Sequence, residues 1–135
     1  PPRSTLFPYT TLFRSAEAAY TGSQECVEEM RKAFERRRDL VVGLARTIPG
    51  WKVNNPQGAF YLFPEVSSYF GKRYGDTVIN NDSDLAMYLL EEGHVATVAG
   101  SAFCTPGYIR LSYATSDDNI REAMRRIEAA LAKLV

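Results

Sequence analysis

The sequence predicts an α+β two-layer sandwich, a small and mostly antiparallel sheet with helices over one face. Three observations predict it. Residues 27–48 and 120–134 repeat apolar side chains at three- and four-residue spacing, the pattern of helices with one buried stripe. Ile109, Leu111 and Tyr113 alternate with Arg110, Ser112 and Ala114, the period of a strand that is apolar on one side. Asn55-Pro56-Gln57-Gly58 and the loop holding Gly100, Pro106 and Gly107 interrupt the remaining apolar segments, so the strands must be short.

Composition narrows the class. At 135 residues, 45% hydrophobic and 24% charged, the chain has the make-up of a soluble globular domain with its own core. Lys plus Arg and Asp plus Glu number 16 each, so no overall field favours nucleic acid or an anionic membrane. No apolar run approaches the roughly 20 residues that span a bilayer. Cys26 and Cys104 lie in unlike contexts, which predicts reduced thiols in the cytoplasm rather than a disulfide framework. The single histidine, His94, cannot build a multi-histidine metal site and is read as a helix-terminus residue.

Residues 1–15 stand apart. Thr5-Leu6-Phe7 recurs as Thr11-Leu12-Phe13, prolines fall at 1, 2 and 8, and neither a helical nor a strand period is sustained. They are read as a non-native or disordered segment and left out of the fold. A helical pattern starts at Ala16, breaks at Thr21-Gly22 and resumes at Ser23, whose hydroxyl suits an N-cap. Val27, Met30, Phe34, Val41, Leu44 and Ile48 then form one apolar stripe, Arg36, Arg37 and Arg38 are expected in solvent, and Pro49-Gly50 ends the helix.

Trp51 to Asn54 is expected as a short strand, and Ala59 to Phe63 as a second one, apolar on both faces and so covered on both. Pro64 limits pairing beyond it. Residues 65–81 read as a loop with one helical turn; Lys72 lacks the glycine spacing and following Ser or Thr of a phosphate loop and is expected in solvent. A helix opening at Asp82 or Ser83 buries Leu85, Ala86, Leu89 and Leu90 and ends at Gly93. Val95 to Val98 makes a strand, and Ser116 caps a last helix whose buried stripe is Ile120, Met124, Ile127, Leu131 and Leu134.

Arg110 is the candidate functional residue. A guanidinium in the middle of a strand loses water, and an unpaired buried charge costs several kcal/mol, so it requires an anion. That anion is either a protein carboxylate, with Asp76, Asp82 and Glu65 the candidates, or the carboxylate of a ligand. The planar fork of an arginine meets a carboxylate two oxygens at a time. The irregular loop before the strand favours the ligand.

The order Val98, Gly100, Phe103, Gly107, Arg110 and Ser112 resembles the C-terminal signature of class I and II aminotransferases, fold-type-I enzymes that use pyridoxal 5'-phosphate. Ala99 and Cys104 depart from the proline and glycine usual there. The string YIRLSYATS is similar to bacterial aspartate aminotransferases, and Pro56-x-Gly58-Ala59-Phe60-Tyr61 resembles the stretch whose phenylalanine lines the substrate pocket. The resemblance implies that Arg110 binds the substrate's α-carboxylate and that Phe60 lines the pocket. It implies an interdomain long helix over 16–50 and the small domain over 51–135 of a homodimeric transaminase acting on an amino acid, possibly aspartate, and a 2-oxo acid. No Ser-x-x-Lys motif surrounds Lys32, Lys52, Lys72 or Lys133, so the catalytic lysine and most of the cofactor site are expected upstream and the fragment itself inactive. The alternatives are another fold-type-I reaction, elimination or decarboxylation, and a non-catalytic module that binds amino acids.

Overall fold

The computed structural model describes residues 9–135. It divides into two compact units, one ending at Ala33 and the other Phe34–Val135.

The first unit holds helix α1 (Tyr9–Thr21) and the beginning of α2 (Glu25–Ala45). Helix α1 starts at Tyr9 rather than at Ala16, where the helical pattern of the sequence begins, and so takes in the last part of the segment 1–15; the rest of that segment lies outside the described residues. No proline or glycine interrupts Tyr9 to Thr21, and the described side chains of α1 are all exposed. A helix with no buried face leaves no apolar stripe to read. Ser23 accepts the Glu25 N–H at 3.3 Å, the cap expected of it. Val27 and Met30, expected in the buried stripe, are 51% and 54% exposed.

The second unit is built on a three-stranded antiparallel sheet in the order β1 (Tyr61–Leu62), β5 (Ile109–Ser112), β4 (Val98–Ala99). Tyr61 faces Ser112 and Leu62 faces Leu111 across one side of β5, while Val98 faces Arg110 across the other. Leu62, Ile109, Leu111 and Tyr113 point into the core. They meet Val41, Val42, Ala45 and Ile48 from the end of α2 and just beyond, Leu85 and Leu89 of α3 (Asp82–Gly93), and Ile120, Met124, Ile127 and Leu131 of α4 (Asp117–Leu131). The sandwich, the terminal stripe and the Ser116 cap, which accepts the Asn119 N–H, are as the sequence predicts.

Several local expectations are corrected. Ala59 to Phe63 shrinks to two paired residues, since Ala59 sits at φ 66°, outside extended backbone, and Pro64 has no N–H to give. Leu62 is fully buried but Tyr61 is 38% exposed, so that segment is covered on one face only. Trp51 to Asn54 contributes a single bridge, Lys52 to Glu65. Within 65–81 there is a hairpin, β2 (Arg73–Tyr74) and β3 (Thr77–Val78), closed by the two-residue loop Gly75-Asp76. Gly-Asp is a hairpin signal, and Gly75 takes the positive φ such a turn needs.

At the end of α3 the left-handed residue is His94 rather than Gly93. Gly93 remains helical and packs against Ala130 of α4, where a Cβ would come within 3.5 Å. Leu90 of that helix is exposed and Tyr88 takes its expected place in the core. The basic triplet is paired rather than free in solvent: Arg36 gives two N–H bonds to Asp117, Arg37 Nε lies 3.5 Å from the same carboxylate, and Arg38 binds Asp39. Lys72 is half-buried over the Tyr69 ring. Among the described residues no helix is long and apolar enough to cross a membrane.

Candidate functional site

β5 has two unlike faces. The core side is apolar, and the opposite side carries Arg110 and Ser112 with Tyr61 and Val98 beside them on the neighbouring strands. Ser112, Tyr61 and Val98 are exposed, and Arg110 is half-buried.

The loop from Gly100 to Tyr108 closes one end of this face. It begins as a short turn, η2 (Gly100–Phe103). Gly100 is required there by space: a Cβ would overlap the carbonyl oxygens of Thr105 and Tyr108, the latter only 2.8 Å away. The Gly100 N–H binds the Tyr108 carbonyl at 2.8 Å and the Thr105 N–H returns to the Gly100 carbonyl at 3.0 Å. Gly107 turns the chain into β5 at φ 88°. Phe103, at the end of η2, is thereby laid over Arg110, with the guanidinium carbon 4.7 Å from its ring centroid. Tyr61 approaches from the β1 side at 5.8 Å. Phe63 continues the aromatic surface, edge-on to Phe103 and stacked on Tyr108.

Among the described residues Arg110 makes no ion pair and no hydrogen bond. The carboxylates that the sequence offered as its partners serve elsewhere. Glu65 takes Lys52 at 2.9 Å and the Ser67 hydroxyl at 2.8 Å, which together hold it below the usual carboxylate range. Asp82 accepts the Ser101 N–H and hydroxyl, each at 2.6 Å. Burial pushes the Asp82 carboxyl up, but the Ser101 bonds outweigh it and the group is held low. No ion pair joins Asp76 to Arg110.

Phe60 lies at the leading end of β1, 54% exposed. Its carbonyl accepts the Tyr113 N–H at 2.8 Å, and its ring meets Tyr61 edge-on rather than Arg110. Tyr61 therefore links the two residues singled out from the sequence. Sequence pattern alone does not single out Tyr61 and Phe103 as site residues. The register of AFYLF against YIRLSY would have pointed to Tyr61, whereas Phe103 is brought in by a loop path that no periodicity encodes.

This arrangement can present a cation over two aromatic rings with its N–H donors uncommitted, which suits a carboxylate. It does not suit a metal, and among the described residues no group of His, Cys, Asp or Glu could hold one.

The family model described as aminotransferase class I and II matches residues 3–127. A probable aspartate/prephenate aminotransferase of Aquifex aeolicus (strain VF5) is 48% identical over 112 residues, covering 83% of this chain and 27% of the relative. An aspartate aminotransferase of Bacillus sp. (strain YM-2) is 46% identical, covering 93% of this chain and 31% of the relative. The crystal structure of an aspartate aminotransferase from Rhizobium meliloti superposes with a TM-score of 0.84 at 42% identity, over 87% of this chain and 30% of that one. The chain thus spans about a third or less of the relatives it matches, and with a family model covering most of its length it belongs to the class I and II aminotransferases.

Proposed function

We infer that this chain supplies the substrate-carboxylate end of a transaminase that moves an amino group between an amino acid, aspartate among the candidates, and a 2-oxo acid. Arg110 carries the reading: a half-buried guanidinium on the open face of the sheet, backed by Phe103 and Tyr61 and with no protein carboxylate among the described residues. Two N–H donors of the fork would take the two oxygens of the α-carboxylate. Held at that end, the amino acid has its Cα–H bond fixed in direction, which is the orientation a proton transfer requires. Phe60, exposed at the edge of the same sheet, would line the pocket beside the side chain. That the relatives are aspartate/prephenate and aspartate aminotransferases favours transamination over elimination or decarboxylation.

The family's cofactor, pyridoxal 5'-phosphate, needs a lysine to hold it and an acid opposite its ring nitrogen. The described residues do not fit it. The groups in contact with Arg110 are aromatic, Lys32, Lys52 and Lys133 are each engaged with a glutamate, and Lys72 lies over Tyr69. The holding residues belong to the part of the relatives that this chain does not span, together with the groups that choose the substrate side chain and the dimer contacts. Cys26 and Cys104 are exposed free thiols, which fits a cytoplasmic enzyme.

Two experiments test the division of labour. Mixed with the cofactor and borohydride, this chain alone should gain no stoichiometric adduct; a specific one would refute the assignment of the lysine elsewhere. In the full-length enzyme, Arg110→Ala removes a charge-assisted pair of roughly 1.5 to 3 kcal/mol, about tenfold to a hundredfold in kcat/KM. Unchanged kcat and KM would refute the clamp.

A further inference from the structure

Asp82 is the buried charged side chain among the described residues, 1% exposed, and no cation pairs with it. A carboxylate in that position is costly unless its oxygens are hydrogen-bonded. Its oxygens are committed chiefly to Ser101, with the backbone N–H groups of Asp82 itself and of Gly107 adding to the hold. Oδ2 accepts the Ser101 N–H and Oδ1 the Ser101 hydroxyl, so the first residue of α3 grips the second residue of η2 by both backbone and side chain.

That grip leads to Arg110. Phe103 closes the same short turn, and its ring lies against the guanidinium. The other end of the turn is fixed at Gly100 by the Thr105 and Tyr108 backbone. With Gly100 pinned by backbone and Ser101 by Asp82, the turn has little freedom in where it places Phe103. An apolar residue at 82 would fill the space but take away the acceptor that ties down the Ser101 N–H and hydroxyl, and the exposed turn would be free to turn these donors to water.

We propose that Asp82 is a positioning residue for the carboxylate site, holding Phe103 over Arg110 through Ser101. This rests on the proposed role of Arg110, and its consequence is that substrate affinity depends on a buried carboxylate that never touches substrate. Phe103 covers a face of the guanidinium, so the fork stays oriented while empty and loses little freedom when a carboxylate arrives.

The Nε–Hε resonance of Arg110 in the labelled chain tests this directly, because the Phe103 ring current displaces it. Phe103→Ala defines its position without the ring. Asp82→Ala and Ser101→Ala should move the resonance most of the way to that position. Asp82→Asn, whose side-chain oxygen still accepts the Ser101 N–H and whose amide can reach the hydroxyl oxygen, should restore it. A wild-type resonance in folded Asp82→Ala or in Ser101→Ala would overturn the proposal; if Asp82→Ala does not fold, Ser101→Ala decides. Titrating the wild-type chain with succinate examines the carboxylate clamp separately: a resonance that ignores succinate removes the clamp while leaving the hold of Asp82 on Phe103 as measured. In the full-length enzyme, Ser101→Ala should raise KM for the amino acid several-fold, with a smaller change in kcat and rescue by Ser101→Thr.

Discussion

The two faces of β5 are made by alternate residues of one short segment, yet they answer to different demands. On one face Ile109, Leu111 and Tyr113 are buried in the common core with α3 and α4. On the other, Arg110 and Ser112 stand among exposed aromatic and aliphatic groups, with no carboxylate among the described residues to neutralise the cation. The strand period places stability on the odd positions and, in the proposed function, recognition on the even ones. A rigid core beneath therefore fixes the guanidinium above, which is how a precise site is built on a regular element.

This contrast can be broken at its core side with the largest effect. Ile109→Ala removes a fully buried side chain and should cost about 2 to 5 kcal/mol, read as a lower urea midpoint. A loss under about 0.5 kcal/mol would mean that the inner face does not carry the fold.

Tyr88 sharpens the same point for a polar group in the core. Its hydroxyl donates to the Ala130 carbonyl at 2.7 Å, joining α3 to α4, and Tyr88→Phe should cost about 1 to 2 kcal/mol. Burial, with Glu92 nearby, pushes this phenol up to about 12. Because the unfolded chain ionises near pH 10, the contribution is complete below that value and is lost as pH rises toward the folded value. Absorbance titration of Tyr88→Phe should lack the last tyrosine to ionise; an unchanged curve would contradict the assignment.

The smallest effect is at the loop. Cys104 holds φ 56° at the end of η2, a conformation costing an L-residue roughly 1 to 2 kcal/mol, of which glycine's greater unfolded freedom returns about 0.4 to 1. Cys104→Gly should raise stability by about 0.5 kcal/mol in the same denaturation experiment, and a loss would indicate that the thiol makes a contact of its own.

What was legible in the sequence follows from how each element is stabilised. The α4 stripe and the alternation of β5 could be read because one face of each is buried and period follows burial. The first half of α1, before Ala16, could not, since the described side chains of this helix are all exposed and it has no apolar stripe to betray it. The reach of β1 was overestimated because an apolar string says nothing of the positive φ at Ala59. Gly93 misled for the opposite reason: glycine suits a left-handed cap, but here it serves close helix packing and His94 takes the cap. At the site, Arg110 and its facing followed from periodicity. Its aromatic neighbours and the Asp82–Ser101 clasp depend on contacts between segments far apart in the chain, which spacing does not encode.

The most direct measurement compares Arg110→Lys with wild type in the full-length enzyme, taking the urea midpoint and kcat/KM from one preparation. A lysine keeps the charge but loses the fork and its stacking. The stability derived from the midpoint should change by less than about 1 kcal/mol while kcat/KM falls about tenfold or more. A fall in stability with kcat/KM intact would contradict the account, because it would place Arg110 in the service of the fold and leave the outer face of the sheet without a task.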